Sequence, residues 1–212
     1  VSTGRGERIA PEGGKKQAIM EAALAVISEK GYHPATVDEI AERAGVGKGT
    51  IYVYFKSKVA LVSELIDSIT RAHLAEMERR VSRVKSAKEK LLYLAGAEFD
   101  FWRRHGPLMQ ILGSSESMGM APELREQMRA ARQGYVKLIQ AVIEEGQRQG
   151  AFVSTIDPSL AATIIFGARM AIVQFASERA QGAAPLEQQA DEIRRQAVDF
   201  FLRALGVPAA LL

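Results

Sequence analysis

Residues 36–55 read Thr-Val-Asp-Glu-Ile-Ala-Glu-Arg-Ala-Gly-Val-Gly-Lys-Gly-Thr-Ile-Tyr-Val-Tyr-Phe. Thr36 and Glu39 have the spacing of a capping box, in which a hydroxyl and a carboxylate each satisfy a backbone N–H at the start of a helix. Ile40, Ala41 and Ala44 give that helix an apolar face, and Ala41 is small enough for a second helix to cross closely. Gly45 supplies the left-handed residue that ends the helix. Val46 is the apolar plug beneath the turn. Ile51 and Phe55, four apart, anchor the next helix inward. Two short helices with facing apolar sides and a glycine turn between them make a helix-turn-helix pattern.

With the inward positions assigned, Lys48, Gly49, Thr50, Tyr52 and Tyr54 face outward. Lys48 can reach a phosphate or a guanine edge. Gly49 lets the helix backbone approach a groove closely. Thr50 can donate to phosphate or touch a thymine methyl. Tyr52 and Tyr54 carry hydroxyl donors on rigid rings, and Lys58 starts the following helix, where it can clamp the DNA backbone. Together with Thr36 these are the candidate DNA-binding residues. The charge pattern agrees. The chain has 28 basic and 25 acidic residues, net +3. Residues 46–58 hold Lys48, Lys56 and Lys58 and no acid, so the rest of the chain is balanced. A nucleoid-coating protein would spread basic charge over its surface instead.

The whole chain has 212 residues, 25% charged and 47% apolar, enough to bury a core in one large or two small domains. It lacks cysteine, which excludes disulfides, thiolate metal sites and cysteine nucleophiles. Val1 to Gly14 is polar, glycine-rich and without a signal-peptide core, and is expected to be a flexible tail. The most apolar stretch, Pro158 to Ser177, contains Arg169 and falls short of a membrane span. A cytoplasmic, soluble protein is expected.

Apolar periodicity predicts an all-α chain. The expected helices cover 15–31, 36–44, 48–55, 57–83, 86–105, 107–114, 122–149, 157–180 and 185–205. Pro122, Pro158 and Pro185 read as first-turn residues, with Asp157 as a cap. Residues 151–156 read as a connection between helices. The expected division is a tail at 1–14, a helix-turn-helix domain at 15–58 and a larger domain for effector binding and dimerisation at 59–212.

In that larger domain Leu160, Ile164, Gly167, Ala168, Ala171 and Phe175 recur at helical spacing, as do Ile193, Ala197, Phe200, Phe201 and Ala204. These two helices can pair either within the chain or with a second copy in a four-helix bundle. An effector pocket would be lined by Phe99, Trp102, Met109, Leu112, Met118, Met120, Tyr135, Phe166 and Met170. Arg169 sits among apolar neighbours, so it either pairs with Glu98 or Asp100 or meets an anionic effector head. Arg125, Arg129 and Arg132, and the basic run from Arg79 to Lys90, read as solvated faces.

Enzyme signatures are missing. His33, His73 and His105 are far apart in sequence, and neither HExxH nor GxSxG occurs. An all-α enzyme whose catalytic residues converge only in the fold is the competing class. Gly45-Val-Gly-Lys-Gly-Thr imitates a phosphate loop, but Glu42 stands where its first glycine belongs and Gly49 follows the lysine. No cofactor or metal is expected.

The set Gly31-Tyr32, Thr36-Val37, Ile40-Ala41, Ala44-Gly45-Val46, Lys48-Gly49-Thr50-Ile51-Tyr52, Tyr54-Phe55 and Ser57-Lys58 closely resembles the N-terminal signature of the TetR family of transcriptional regulators. The resemblance covers residues 15–62. It implies a homodimer on a palindromic operator, joined through its last two helices and released by a small molecule. It also implies that Lys48, Gly49, Thr50, Tyr52, Tyr54 and Lys58 face DNA. Val53 departs from the polar or aromatic residue common at its position, which puts a base or phosphate contact there in doubt. Gly31-Tyr32-His33, Gly49-Thr50-Ile51-Tyr52 and Ile165-Phe166-Gly167 resemble the fatty-acid-metabolism repressors of that family, which respond to long-chain acyl-coenzyme A. A multidrug-type or other apolar effector is the rival.

Overall fold

The computed structural model describes residues 12–113, 121–179 and 186–207. Among them eight helices and no strand occur: α1 (Glu12–Lys30), α2 (Val37–Ala44), α3 (Lys48–Tyr54), α4 (Lys58–Val81), α5 (Ala87–Gly113), α6 (Pro122–Arg148), α7 (Pro158–Arg179) and α8 (Leu186–Ala204). No helix among the described residues is long and apolar enough to cross a membrane. The chain divides into two compact units. One comprises the chain through Ser68 with Pro107–Met128, the other Ile69–Gly106 with the chain from Arg129 onward.

In the first unit α2 starts and stops where its sequence demands. The Glu39 N–H donates to the Thr36 hydroxyl at 3.2 Å, and the Thr36 N–H donates to the Glu39 carboxylate at 3.0 Å. At the other end Gly45 has φ +66°, a region in which a Cβ is strained. Its N–H reaches the Glu42 carbonyl at 3.1 Å, and the Val46 N–H reaches the Ala41 carbonyl at 3.0 Å. That pair of bonds is a Schellman motif, which satisfies carbonyls that a helix end would otherwise leave open. Helix α2 packs on α1 and on α3. Ile19, Ala23, Ile27, Ile40, Ile51, Phe55 and Leu61 are buried. Charged groups fasten the rim: Arg43 bonds both oxygens of Glu29, at 2.5 and 2.9 Å, and Lys30 bonds Glu39 at 2.5 Å.

In the second unit a continuous apolar core runs from Met77 and Leu91 through Tyr135, Ile139 and Ile143 to Val198 and Leu202. Helix α7 starts on Asp157, whose carboxylate accepts the Leu160 N–H at 2.7 Å. The 151–156 connection crosses close to α6, where a Cβ on Gly146 would stand 2.1 Å from the Phe152 ring. That glycine is there for space.

Two expectations are corrected. The helices expected at 86–105 and 107–114 are one helix, α5, with Pro107 inside it. Proline removes one backbone donor and crowds the preceding turn, but the helix continues through it. Lys90, expected on a solvated basic run, is 7% exposed and ion-paired with Glu145 of α6. Its position on the inner face of α5 brings the ammonium to a partner that spacing along the run could not reveal. The first-turn reading of Pro185 lies outside the described residues.

Glu39 carries the pH dependence of the α2 start. Hydrogen bonds from the Lys30 ammonium and from the Thr36 backbone and hydroxyl hold its carboxyl at about 2, below the ordinary 4.5. A depressed carboxyl contributes stability above its unfolded value, and that contribution is lost as pH falls through the folded one. Acid unfolding followed by circular dichroism is therefore expected to show stability falling from about pH 4.5 towards pH 2, with a shallower fall in Glu39→Gln.

Candidate nucleic-acid interface and effector cavity

Helix α3 turns Ile51 inward, 1% exposed, and the following Phe55 closes the same face at 2%. Helical geometry then forces the residues between them outward. Tyr52 is 48% and Val53 80% exposed, and Lys48 and Gly49 are exposed beside them, with Thr50 and Tyr54 half-buried at the edges. A Cβ built on Gly49 meets nothing within 4 Å. The glycine therefore has no packing reason within the chain, although a glycine there weakens a helix. Val53, where the family resemblance puts a base or phosphate contact in doubt, is more exposed than Tyr52. An apolar side chain this exposed on a short helix offers methyl groups to whatever the helix meets, and thymine methyls are one such surface.

Lys48 bonds Asp38 at 2.8 Å, both groups exposed, and the aspartate raises the lysine's pKa. An exposed pair of this kind exchanges readily for a phosphate. Thr36 spends its hydroxyl on the capping box, donating to and accepting from Glu39. Lys58 departs most from the expected picture. Its Nζ donates to the carbonyls of Tyr32 at 2.6 Å, His33 at 3.3 Å and Ala35 at 2.8 Å, and lies 4.4 Å from the centre of the Tyr32 ring. Burial pushes its pKa down. The ammonium has three protons and three carbonyls. It fastens the start of α4 to the loop after α1, which makes Lys58 a positioning residue.

Of the expected pocket residues, Tyr135 is buried and Phe166 half-buried. Their rings lie 6.1 Å apart, and the Arg132 guanidinium sits 5.8 Å from the Phe166 ring centre. Phe166 borders a cavity of about 80 Å³ within the second unit, walled chiefly by apolar side chains from α4 to α8 such as Met77, Leu94, Ile139 and Phe201. Glu98 and Arg194 are its charged wall residues. Tyr135 stands behind Phe166 rather than on the wall. The side chains of Phe99, Trp102, Met109, Leu112, Met118, Met120, Arg169 and Met170 lie outside the described residues. Among the described residues no cluster of three His, Asp or Glu side chains could hold a metal ion.

A helix-turn-helix with an exposed second helix, joined to a helical unit that contains an apolar cavity, is the architecture of a DNA-binding regulator. Comparison with known proteins agrees. Residues 19–65 match the family described as "Bacterial regulatory proteins, tetR family", and residues 84–205 match the "Tetracyclin repressor-like, C-terminal domain". The chain belongs to the TetR family of bacterial transcriptional regulators. The fatty acid metabolism regulator protein of Bacillus subtilis (strain 168) is 33% identical over 153 residues, 72% of this chain and 78% of that protein. The crystal structure of FadR from Bacillus subtilis in complex with stearoyl-CoA is similar at TM-score 0.72 and 28% identity, covering 86% of this chain and 97% of that one. FadR from Bacillus halodurans gives TM-score 0.73 at 27% identity, covering 89% and 97%. The matched relatives are regulators, and the enzyme reading is set aside.

Lys58→Met is expected to lower unfolding stability by about 1–2 kcal/mol, since three carbonyls lose a charged donor. The salt dependence of binding to a mixed-sequence DNA duplex should stay unchanged. A slope smaller by about one unit, with unaltered thermal stability, would make Lys58 a phosphate contact instead.

Proposed function

We propose that this protein is a homodimeric transcriptional repressor that binds a palindromic operator through α3 and is released by an apolar effector, with long-chain fatty acyl-CoA as that effector. The observation that carries the reading is the exposed face of α3. Lys48, Gly49, Thr50, Tyr52 and Tyr54 stand along it with Val53, held outward by the burial of Ile51 and Phe55. Thr36 and Lys58 support that face from within. The stearoyl-CoA complex of the Bacillus subtilis relative, together with this chain's apolar cavity, supports the effector class.

The dimer rests on a second pattern. Leu160, Ile164 and Phe175 of α7 are 58, 54 and 49% exposed, and Phe200 of α8 is 67% exposed. Gly167 and Ala171 are exposed between the α7 residues. Positions 160, 164, 167, 171 and 175 follow one face, and an apolar helical face of this length is a candidate for burial against a copy of itself. A dimer also doubles a reading helix that by itself covers only a few base pairs. The proposed division is a DNA-binding domain at 15–58 and an effector and dimerisation domain beyond it, acting in the cytoplasm. Helix α4 begins at Lys58 and contributes Met77 to the cavity wall. Effector binding would shift the population towards an α4 position in which the two reading helices no longer match successive major grooves.

Selection of bound sequences from random duplexes should return a palindrome whose half-sites are about one helical turn apart. Stearoyl-CoA should release that duplex, whereas stearic acid at the same concentration should not. Recovery of an asymmetric site or of no consensus would contradict the reading. Phe200→Glu is expected to yield monomers in sedimentation and to weaken operator binding; an unchanged mass would place the dimer contact elsewhere. Gly49→Ala is expected to raise stability by roughly 0.5–1 kcal/mol while reducing operator affinity at least several-fold.

A further inference from the structure

Histidines far apart in sequence meet in the second unit. The His73 ring of α4 stacks on Phe101 of α5 with centroids 4.2 Å apart, and His105, one turn along α5, lies 5.0 Å from the same Phe101 ring. The Tyr135 ring of α6 lies 5.6 Å from His73. Two polar atoms of this cluster, Nδ1 of His105 and the hydroxyl of Tyr135, are buried without a hydrogen-bond partner, and Nε2 of His73 faces only the Glu98 carboxylate, at 3.4 Å, beyond a good hydrogen bond. Tyr135 is 3% exposed. A buried polar group left unsatisfied costs about 1–3 kcal/mol, so two together beside a weakly held imidazole mark a place where a polar group of something else belongs.

The cluster adjoins the cavity. Met77, Leu94 and Ile139 line the cavity, each one helical turn from His73, Glu98 and Tyr135 respectively on α4, α5 and α6. Glu98 belongs to both places: it lines the cavity, and its Oε1 stands 3.4 Å from His73 Nε2. Phe166 likewise lines the cavity and packs against Tyr135.

We propose that His73, His105 and Tyr135 form the polar anchor of the effector site and hold an uncharged, oxygen-bearing head, a hydroxyl or an ester, whose apolar body lies in the adjoining cavity. The inference rests on the effector reading above and deepens it. A phenol and two imidazoles supply both donors and acceptors, which suits a neutral oxygen. Burial, with Arg104 and His73 nearby, lowers the His105 pKa and so disfavours its charged form. The cavity wall carries Glu98 and Arg194 together, so it holds no surplus positive charge for an anionic head. A volume of about 80 Å³ admits a body of a few carbons or the end of a longer chain; an engineered apolar cavity of about 150 Å³ takes up benzene.

The test is a ligand-observed NMR titration of the full chain with hexanol, methyl hexanoate, hexanoate and hexane. Hexanol and methyl hexanoate are expected to bind about five- to ten-fold more tightly than hexane, as one or two hydrogen bonds allow, and hexanoate more weakly than hexanol. Tyr135→Phe, which removes only the hydroxyl, should erase much of that preference without lowering thermal stability. His105→Leu should reduce the preference as well. Equal binding of hexanol and hexane, no binding of either headed probe, tighter hexanoate binding, or a preference that survives in both variants would each overturn the anchor. If the anchor holds but saturating stearoyl-CoA leaves DNA affinity unchanged, the anchor stands and the ligand-responsive reading fails.

Discussion

The left-handed turn at Gly45 is the constraint on which the reading surface depends. With φ at +66° and two backbone bonds closing the end of α2, the chain leaves that helix in one direction only. The direction places Ile51 and Phe55 inside. Helical periodicity then leaves Tyr52 and Val53 nowhere to go but out. The capping box fixes the other end of α2, and the Lys58 ammonium ties the start of α4 to the carbonyls at 32, 33 and 35. The outward face of α3 thus follows from inward commitments made on either side of it.

The features legible in the sequence were those decided within a turn or two of chain. Thr36 with Glu39, Gly45 with Val46, Ile51 with Phe55 and the Asp157 cap are all local pairs, and each stands as its spacing implies. Side chains whose partners come from distant segments were not legible. Lys58 looked like an outward cation because its carbonyls lie 23 to 26 residues away. Lys90 looked solvated because Glu145 is 55 residues away. The histidines looked unrelated because it takes the packing of α4 on α5 to bring His73 to the Phe101 ring that His105 also meets, and the packing of α4 on α6 to bring Tyr135 to His73. Pro107 looked like a boundary because its local effect is disruptive, yet α5 carries through.

Charge shows the same division. The net +3 was assignable to residues 46–58, but its lysines do different work. Lys48 is held by an exposed aspartate that a phosphate can displace, Lys56 is exposed, and Lys58 is spent on the fold. A small surplus serves a regulator that must leave DNA as well as bind it, since each phosphate contact adds a salt-dependent increment of sequence-independent affinity. On the proposed reading, specificity comes from the uncharged part of α3, from Gly49, Thr50 and Tyr52 with Val53 beside them, and from the pairing of two such helices.

The most direct test of the central claim is the chemical-shift footprint of DNA on the isotope-labelled protein. Adding the duplex recovered by sequence selection should perturb backbone amides of residues 47–54 most strongly, with Asp38 responding as Lys48 changes partner. Perturbations confined to other surfaces, with residues 47–54 silent, would contradict the assignment of α3 as the helix that reads DNA.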